Sequence, residues 1–252
     1  MAWYNEENPE TLNFVLVGNH HSGYGLVQAA LSAHPIMVCH GDVFHPNVNI
    51  RKTEHERYFG PSGKFEDYFV PQRLSAEQYL NNKIFDNTLN GEKTVGVKIS
   101  YDTFRDYDLW DYIDQRSRQG DFCVVHVRRN PVACFIARQQ ALGLDVPFVG
   151  SAIYVDSNAL TDFCRNHVAT SIKLDRYCPD RVIVPYHELL LDFRGVLERL
   201  FEFLEVDFSP ACIPNHRKVQ RREIRQRVAN WKDLQERVPA DIREFIEDPL
   251  LY

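Results

Sequence analysis

One stretch constrains this chain more than any other. Asn13-Phe-Val-Leu-Val-Gly-Asn-His-His-Ser-Gly-Tyr-Gly-Leu-Val-Gln-Ala-Ala-Leu-Ser-Ala-His-Pro35 passes from an apolar run through a small-residue turn into an amphipathic segment. The pattern predicts a buried strand, a glycine turn and a helix. A glycine turn that opens a helix aims several unpaired backbone N–H groups, and the positive end of the helix dipole, at one spot. Such a spot suits an anion, most often a phosphate. The turn is not a Walker A loop: Gly18 and Gly23 have its spacing, but Tyr24 and Gly25 stand where it needs Lys and Ser or Thr. Ordinary ATP or GTP hydrolysis is therefore disfavoured. A plain turn of a doubly wound fold, with no ligand, is the competing reading.

Five short apolar runs, Phe14–Val17, Ile36–Val38, Val95–Ile99, Phe122–Val127 and Val182–Val184, predict buried parallel strands. Helical patterns lie at Leu26–Ala33, Tyr107–Arg118, Pro131–Ala141, Ser157–Arg176 and Leu189–Leu204. This alternation predicts an α/β fold: a single doubly wound domain over residues 1–252, with about five parallel strands and helices on both faces. From His45 to Glu92 the alternation breaks. That region carries Tyr58, Phe59, Phe65, Tyr68 and Phe69, with a helix expected at Ser75–Leu80, and is read as a substrate or lid insertion at about 45–92.

Composition narrows the partners. Hydrophobic residues make up 44% of the 252 and charged residues 25%, an ordinary globular balance. The net charge of −6 argues against nucleic acid as the main partner. No apolar run is long enough to span a bilayer, and the polar, acidic start resembles neither a signal nor a transit peptide, so a cytoplasmic location is expected. The six cysteines lack metal-type spacing and are expected to be buried, reduced thiols. The run His216–Arg227 is locally basic. As a helix it would place Lys218, Arg222 and Arg225 near one face.

In α/β sheets ligands bind beyond the carboxyl ends of the strands, so the residues following each run form one candidate constellation. They include His20, His21, Ser22 and Gly23 after the first run, and Asp42 after the second. Lys98 with Tyr101 and Asp102 closes the third, Arg128 and Arg129 the fourth, and Tyr186 the fifth. A lysine ending a buried strand is informative, because Lys is seldom buried unless it is paired or functional. Pro131 fits the first position of a helix, which fixes Arg129 at the mouth of the sheet. The set predicts a site for a multiply anionic ligand with one candidate general base.

Together these pieces resemble the sulfotransferases that use 3′-phosphoadenosine 5′-phosphosulfate, and most closely the branch that includes tyrosylprotein and carbohydrate sulfotransferases. The segments that carry the resemblance are Gly18-Asn-His-His-Ser-Gly-Tyr-Gly-Leu26, Ala33-His-Pro35, Gly41-Asp42, Val95-Gly-Val-Lys98, Arg129-Asn-Pro131, Tyr186-His-Glu-Leu189 and the basic stretch from Lys218 to Trp231. The resemblance implies a P-loop-type sulfotransferase fold and metal-independent transfer of a sulfuryl group to a hydroxyl or amine. The product of the donor would be 3′,5′-adenosine bisphosphate. It implies that the turn from His20 through His21, Ser22, Gly23 and Tyr24 to Gly25 holds the 5′-phosphosulfate. Arg129, Tyr186, Lys218 and Arg138 would serve the 3′-phosphate, and Asp42, Lys98 and His21 the chemistry. The acceptor would be a small molecule, a carbohydrate or a peptide.

Several positions depart from the family pattern. The loop cation is His21, the paired threonines are Tyr24 and Gly25, the serine after Arg129-Asn-Pro131 is Ala137, and Asp42 replaces a glutamate. Another P-loop transferase such as a kinase, or a non-catalytic nucleotide-binding descendant, is the alternative reading.

Overall fold

In the computed structural model the five runs become β1 (Leu12–Gly18), β2 (Met37–His40), β3 (Thr94–Ser100), β4 (Cys123–Arg128) and β5 (Arg181–Pro185). They pair in parallel in the order β2-β3-β1-β4-β5, so the strand that leads into the glycine turn is central. The structure describes residues 12–45, 49–51, 53, 74–85, 93–142, 152–213 and 223–248. Most of the expected 45–92 insertion, its aromatic cluster and Lys218 lie outside these residues.

All seven residues of β1 are buried, because helices cover the sheet on both faces. The two-residue period of the strand divides them. Val15 and Val17 face one layer with Phe104, Trp110 and Ile113, whereas Phe14 and Leu16 face the other with Val27, Leu197 and Phe201. Gly96 of β3 lies opposite Phe14 in register, and a Cβ there would sit 2.1 Å from the Phe14 ring. The glycine is what lets that ring lie across the neighbouring strand. A third cluster, with Ile136, Leu160, Ile242 and Phe245, packs beside the sheet.

The helices among the described residues include α1 (Tyr24–Ser32), α2 (Ala76–Tyr79), α3 (Tyr101–Asp106), α4 (Trp110–Gln119), α5 (Pro131–Leu142), α6 (Ser157–Tyr177), α7 (Tyr186–Leu191), α8 (Phe193–Phe203), α9 (Trp231–Arg237) and α10 (Ala240–Glu247). Two predicted helices are corrected. The Tyr107–Arg118 pattern is helical only from Trp110, as α4, and a separate helix that the pattern did not include, α3, precedes it and ends at Asp106. Ser100 caps the earlier start by accepting from Thr103 N at 3.2 Å, and Asp108 takes a left-handed φ of 47° between them. Leu189–Leu204 divides at Asp192, whose N–H closes α7 on Glu188 O while its Oδ1 caps α8 through Gly195 N at 2.9 Å.

Ser75 starts α2 with a capping box to Gln78, and the chain continues as a π-turn over Leu80–Phe85. Residues Ile224–Arg227, the described end of the basic run, form a 3₁₀ turn rather than an α-helix, with Arg225 paired to Glu223 at 2.5 Å. All six cysteines are buried thiols, none in a disulfide. Among the described residues no helix is long and apolar enough to cross a membrane.

Candidate functional site

The site begins where β1 ends. Ser22 N donates to Asn19 O at 3.0 Å, His21 takes φ 64°, and Gly23 takes φ 98° as it delivers the chain into α1. Among the described residues no side chain caps α1. The Ser22 Oγ is fully buried within the turn and has no hydrogen-bond partner among the described residues. A buried hydroxyl of this kind is costly unless something completes it.

On the β4–β5 side, Arg129 is 7% exposed, and its Nη1 donates to His21 O at 2.6 Å. Its guanidinium lies 4.2 Å from the centre of the Tyr186 ring. A Cβ on Gly23 would come within 2.5 Å of that same ring. The end of β4, the start of α7 and the turn are therefore in one continuous contact. Arg227 joins this side: it is hydrogen-bonded to Gln140, and burial followed by the charge of Arg129 lowers its basicity. Sequence reasoning singled out Lys218, Arg222 and Arg225 from the basic run and passed over Arg227, because the run was read as a regular helix. Arg128 turns away from the turn to pair with Asp175, which also holds Arg181 at 2.6 Å.

On the β2–β3 side, Lys98 Nζ donates to Asp42 Oδ2 at 2.8 Å and sits 5.0 Å from the centre of the Tyr24 ring. Lys98 is 9% exposed and Asp42 31%, so the pair looks out from a mostly buried position. Tyr24 itself is core, and its hydroxyl is 3.1 Å from His20 Nδ1. Burial and the carboxylates of Asp42 and Asp102 hold the phenol protonated.

His20, Asp42 and Lys98 border a cavity of about 470 Å³, together with Tyr107, Phe163 and Arg138. Arg138 thus faces this cavity, 5.9 Å from the Phe163 ring. Both turn histidines are weaker bases than free imidazole. Burial is the main cause for each, opposed at His20 by Asp102 and Asp42 and reinforced at His21 by the charges of His20, Arg129 and Arg138. Among the described residues no group of three or more His, Cys, Asp and Glu side chains is arranged to hold a metal.

The turn, Arg129, Tyr186, Asp42 and Lys98 are thus gathered at one edge of the sheet, with Arg129 and Tyr186 on one side of the turn and Asp42 and Lys98 on the other. Sequence reasoning missed the buried partner of Asn19. The amide Nδ2 of Asn19 donates to Nδ1 of His167, in the middle of α6, at 2.8 Å. No local pattern marks His167, since only the folded chain brings α6 against the turn.

The five-stranded parallel sheet with helices on both faces is the fold of the sulfotransferases. Residues 120–210 match the family model described as "Sulfotransferase family", a segment that spans β4 to α8 and contains Arg129 and Tyr186. The sulfotransferase domain from the curacin biosynthetic pathway shares the fold with a TM-score of 0.54, at 13% identity, over 94% of this chain and 96% of that one.

Two further solved structures are similar. The sulfotransferase domain of the Synechococcus PCC 7002 olefin synthase is 18% identical over 94% of this chain and 93% of its own, with a TM-score of 0.47. A sulfotransferase from Alicyclobacillus acidocaldarius is 18% identical over 82% and 87%, with a TM-score of 0.48. No curated protein sequence matches the chain. The resemblance read from the sequence is borne out for the sulfotransferase family and fold, but the narrower closeness to the tyrosylprotein and carbohydrate branch is not.

Proposed function

We propose that this protein is a sulfotransferase that moves a sulfuryl group from 3′-phosphoadenosine 5′-phosphosulfate to a hydroxyl or amine acceptor. The observation that carries this reading is the division of the site by the turn. A stacked, buried cation stands on one side, at Arg129 and Tyr186, and a lysine–carboxylate pair facing a cavity stands on the other.

The turn fits an anion. Among the described residues its Ser22 hydroxyl is buried without a partner and no side chain caps the start of α1, where free helix amides favour an anion. When bound, the donor supplies a sulfuryl group activated by its phosphate anhydride. In this reading the amides from Gly23 to Gly25 hold the 5′-phosphosulfate, and Arg129, with Arg227 behind it, meets the 3′-phosphate. Asp42 accepts the proton of the acceptor, and Lys98 offsets the charge on the sulfuryl oxygens. The Lys98–Asp42 bond holds the two groups together beside the cavity. The cavity beside them has the volume of a small-molecule site, which favours a small acceptor or a single residue of a larger one.

A thermal-shift comparison tests the reading. Stabilisation by 3′,5′-adenosine bisphosphate without magnesium is expected, because a ligand that binds only the folded state raises its unfolding temperature. A response to ADP with magnesium instead would make the protein a nucleotide kinase or a related P-loop transferase. No response to either would favour a non-catalytic descendant.

A further inference from the structure

The anion turn is held from two directions, and only one of them involves a residue of the donor motifs. Arg129 holds the carbonyl of His21. The other hold is the Asn19–His167 hydrogen bond, which joins residues 148 positions apart. Asn19 is 5% exposed and His167 2%, so the bond is sheltered from water. Burial, followed by the charge of Arg128, pushes the basicity of His167 down to about 3. The ring is therefore neutral at physiological pH, and its Nδ1 accepts.

Asn19 is also the residue whose carbonyl receives Ser22 N, so one residue both starts the turn and anchors it. His167 is braced in turn. The Tyr101 ring packs edge-on against it at 5.1 Å, and the Tyr101 hydroxyl is 2.5 Å from His126 Nε2 in β4.

We infer that His167 is a positioning residue for the anion turn. Through Asn19, whose carbonyl holds the Ser22 N–H, it fixes the direction in which the amides from Gly23 to Gly25 point, and so sets the affinity for the phosphate end of the donor. The inference rests on the donor reading above. Its physical basis is that convergent amides bind an anion only while they converge, and a buried partner of fixed geometry holds them there at no cost on binding.

Calorimetry with 3′,5′-adenosine bisphosphate on the wild type, Asn19→Ala, His167→Leu, their double variant and His167→Asn tests it. Each of the first two single changes is expected to weaken binding about 10-fold, the usual worth of one buried hydrogen bond. The double variant is expected to lose no more than either single one, because both remove the same bond. His167→Asn places an amide oxygen close to the position of Nδ1 and is expected to bind within about 3-fold of wild type, on the same scale.

Additive losses in the double variant, or an Asn19→Ala variant that binds like wild type, would overturn the inference. If His167→Leu shows no cooperative unfolding, Asn19→Ala and His167→Asn decide alone. Weak binding by the first with near-normal binding by the second supports the inference, and any other pairing overturns it. A wild-type protein that does not bind the bisphosphate would instead overturn the donor reading, and the inference with it.

Discussion

The guanidinium of Arg129 lies over the ring of Tyr186 at 4.2 Å and donates at 2.6 Å to the carbonyl of His21, so one side chain joins the ends of β4 and β5 to the glycine turn. Arg129→Ala should therefore act twice. Loss of a buried, charge-assisted contact to the 3′-phosphate should weaken 3′,5′-adenosine bisphosphate binding by about 10- to 100-fold. Loss of the turn's support should weaken AMP binding too, but by less. Calorimetry with both ligands checks this. Equal losses would leave Arg129 as a support of the turn alone.

Asp42→Asn retains an oxygen that can accept from Lys98 Nζ, the contact now made at 2.8 Å, but removes the carboxylate proposed as the base. Sulfuryl transfer should fall by about 10²- to 10⁴-fold, the usual contribution of general base catalysis, while the affinity for the bisphosphate changes little. Steady-state rates with labelled donor, set beside calorimetry, separate the two quantities. A parallel loss of both would assign Asp42 to structure.

Much of this was legible in the sequence, for physical reasons that differ from element to element. The strands were readable because a sheet covered on both faces needs unbroken apolar runs such as Phe14–Val17. The strand ends followed, since Gly18, Lys98 and Arg129 take their places from the strands that precede them. The breaks at Asp108 and Asp192 were less legible. Each depends on a local turn or cap that interrupts an apolar period without erasing it. The Asn19–His167 bond could not be read at all, because neither residue is unusual locally and the contact exists only after α6 packs against the turn.

Gly23 is fixed by two constraints at once: a φ of 98°, and the Tyr186 ring 2.5 Å from where a Cβ would be. Gly23→Ala should cost about 1–3 kcal/mol of stability from the strained backbone, and it should push Tyr186 out of its stack with Arg129. Chemical denaturation should show the loss, and bisphosphate binding should weaken with it. A variant as stable as wild type would mean that the turn adopts another shape.

Acid should destabilise the fold through two buried histidines. His167 has its basicity lowered to about 3 and His126 is lowered as well, chiefly by burial, whereas both are ordinary imidazoles in the unfolded chain. Below about pH 6.5 the unfolded state therefore binds more protons than the folded one. Stability present above that pH should fall on acidification from about 6.5 toward 3, by up to ~1.4 kcal/mol per pH unit for each ring. Urea unfolding midpoints between pH 7 and pH 4 measure the slope. His167→Asn should flatten it, and an unchanged slope in that variant would remove His167 from the account.

The most direct test of the central claim is a crystal structure of the protein with 3′,5′-adenosine bisphosphate. The account predicts the 5′-phosphate against the amides from Gly23 to Gly25 and the 3′-phosphate against Arg129, with Asp42 and Lys98 facing the open cavity. A bisphosphate bound elsewhere, or held in the turn with its 3′-phosphate away from Arg129, would contradict it.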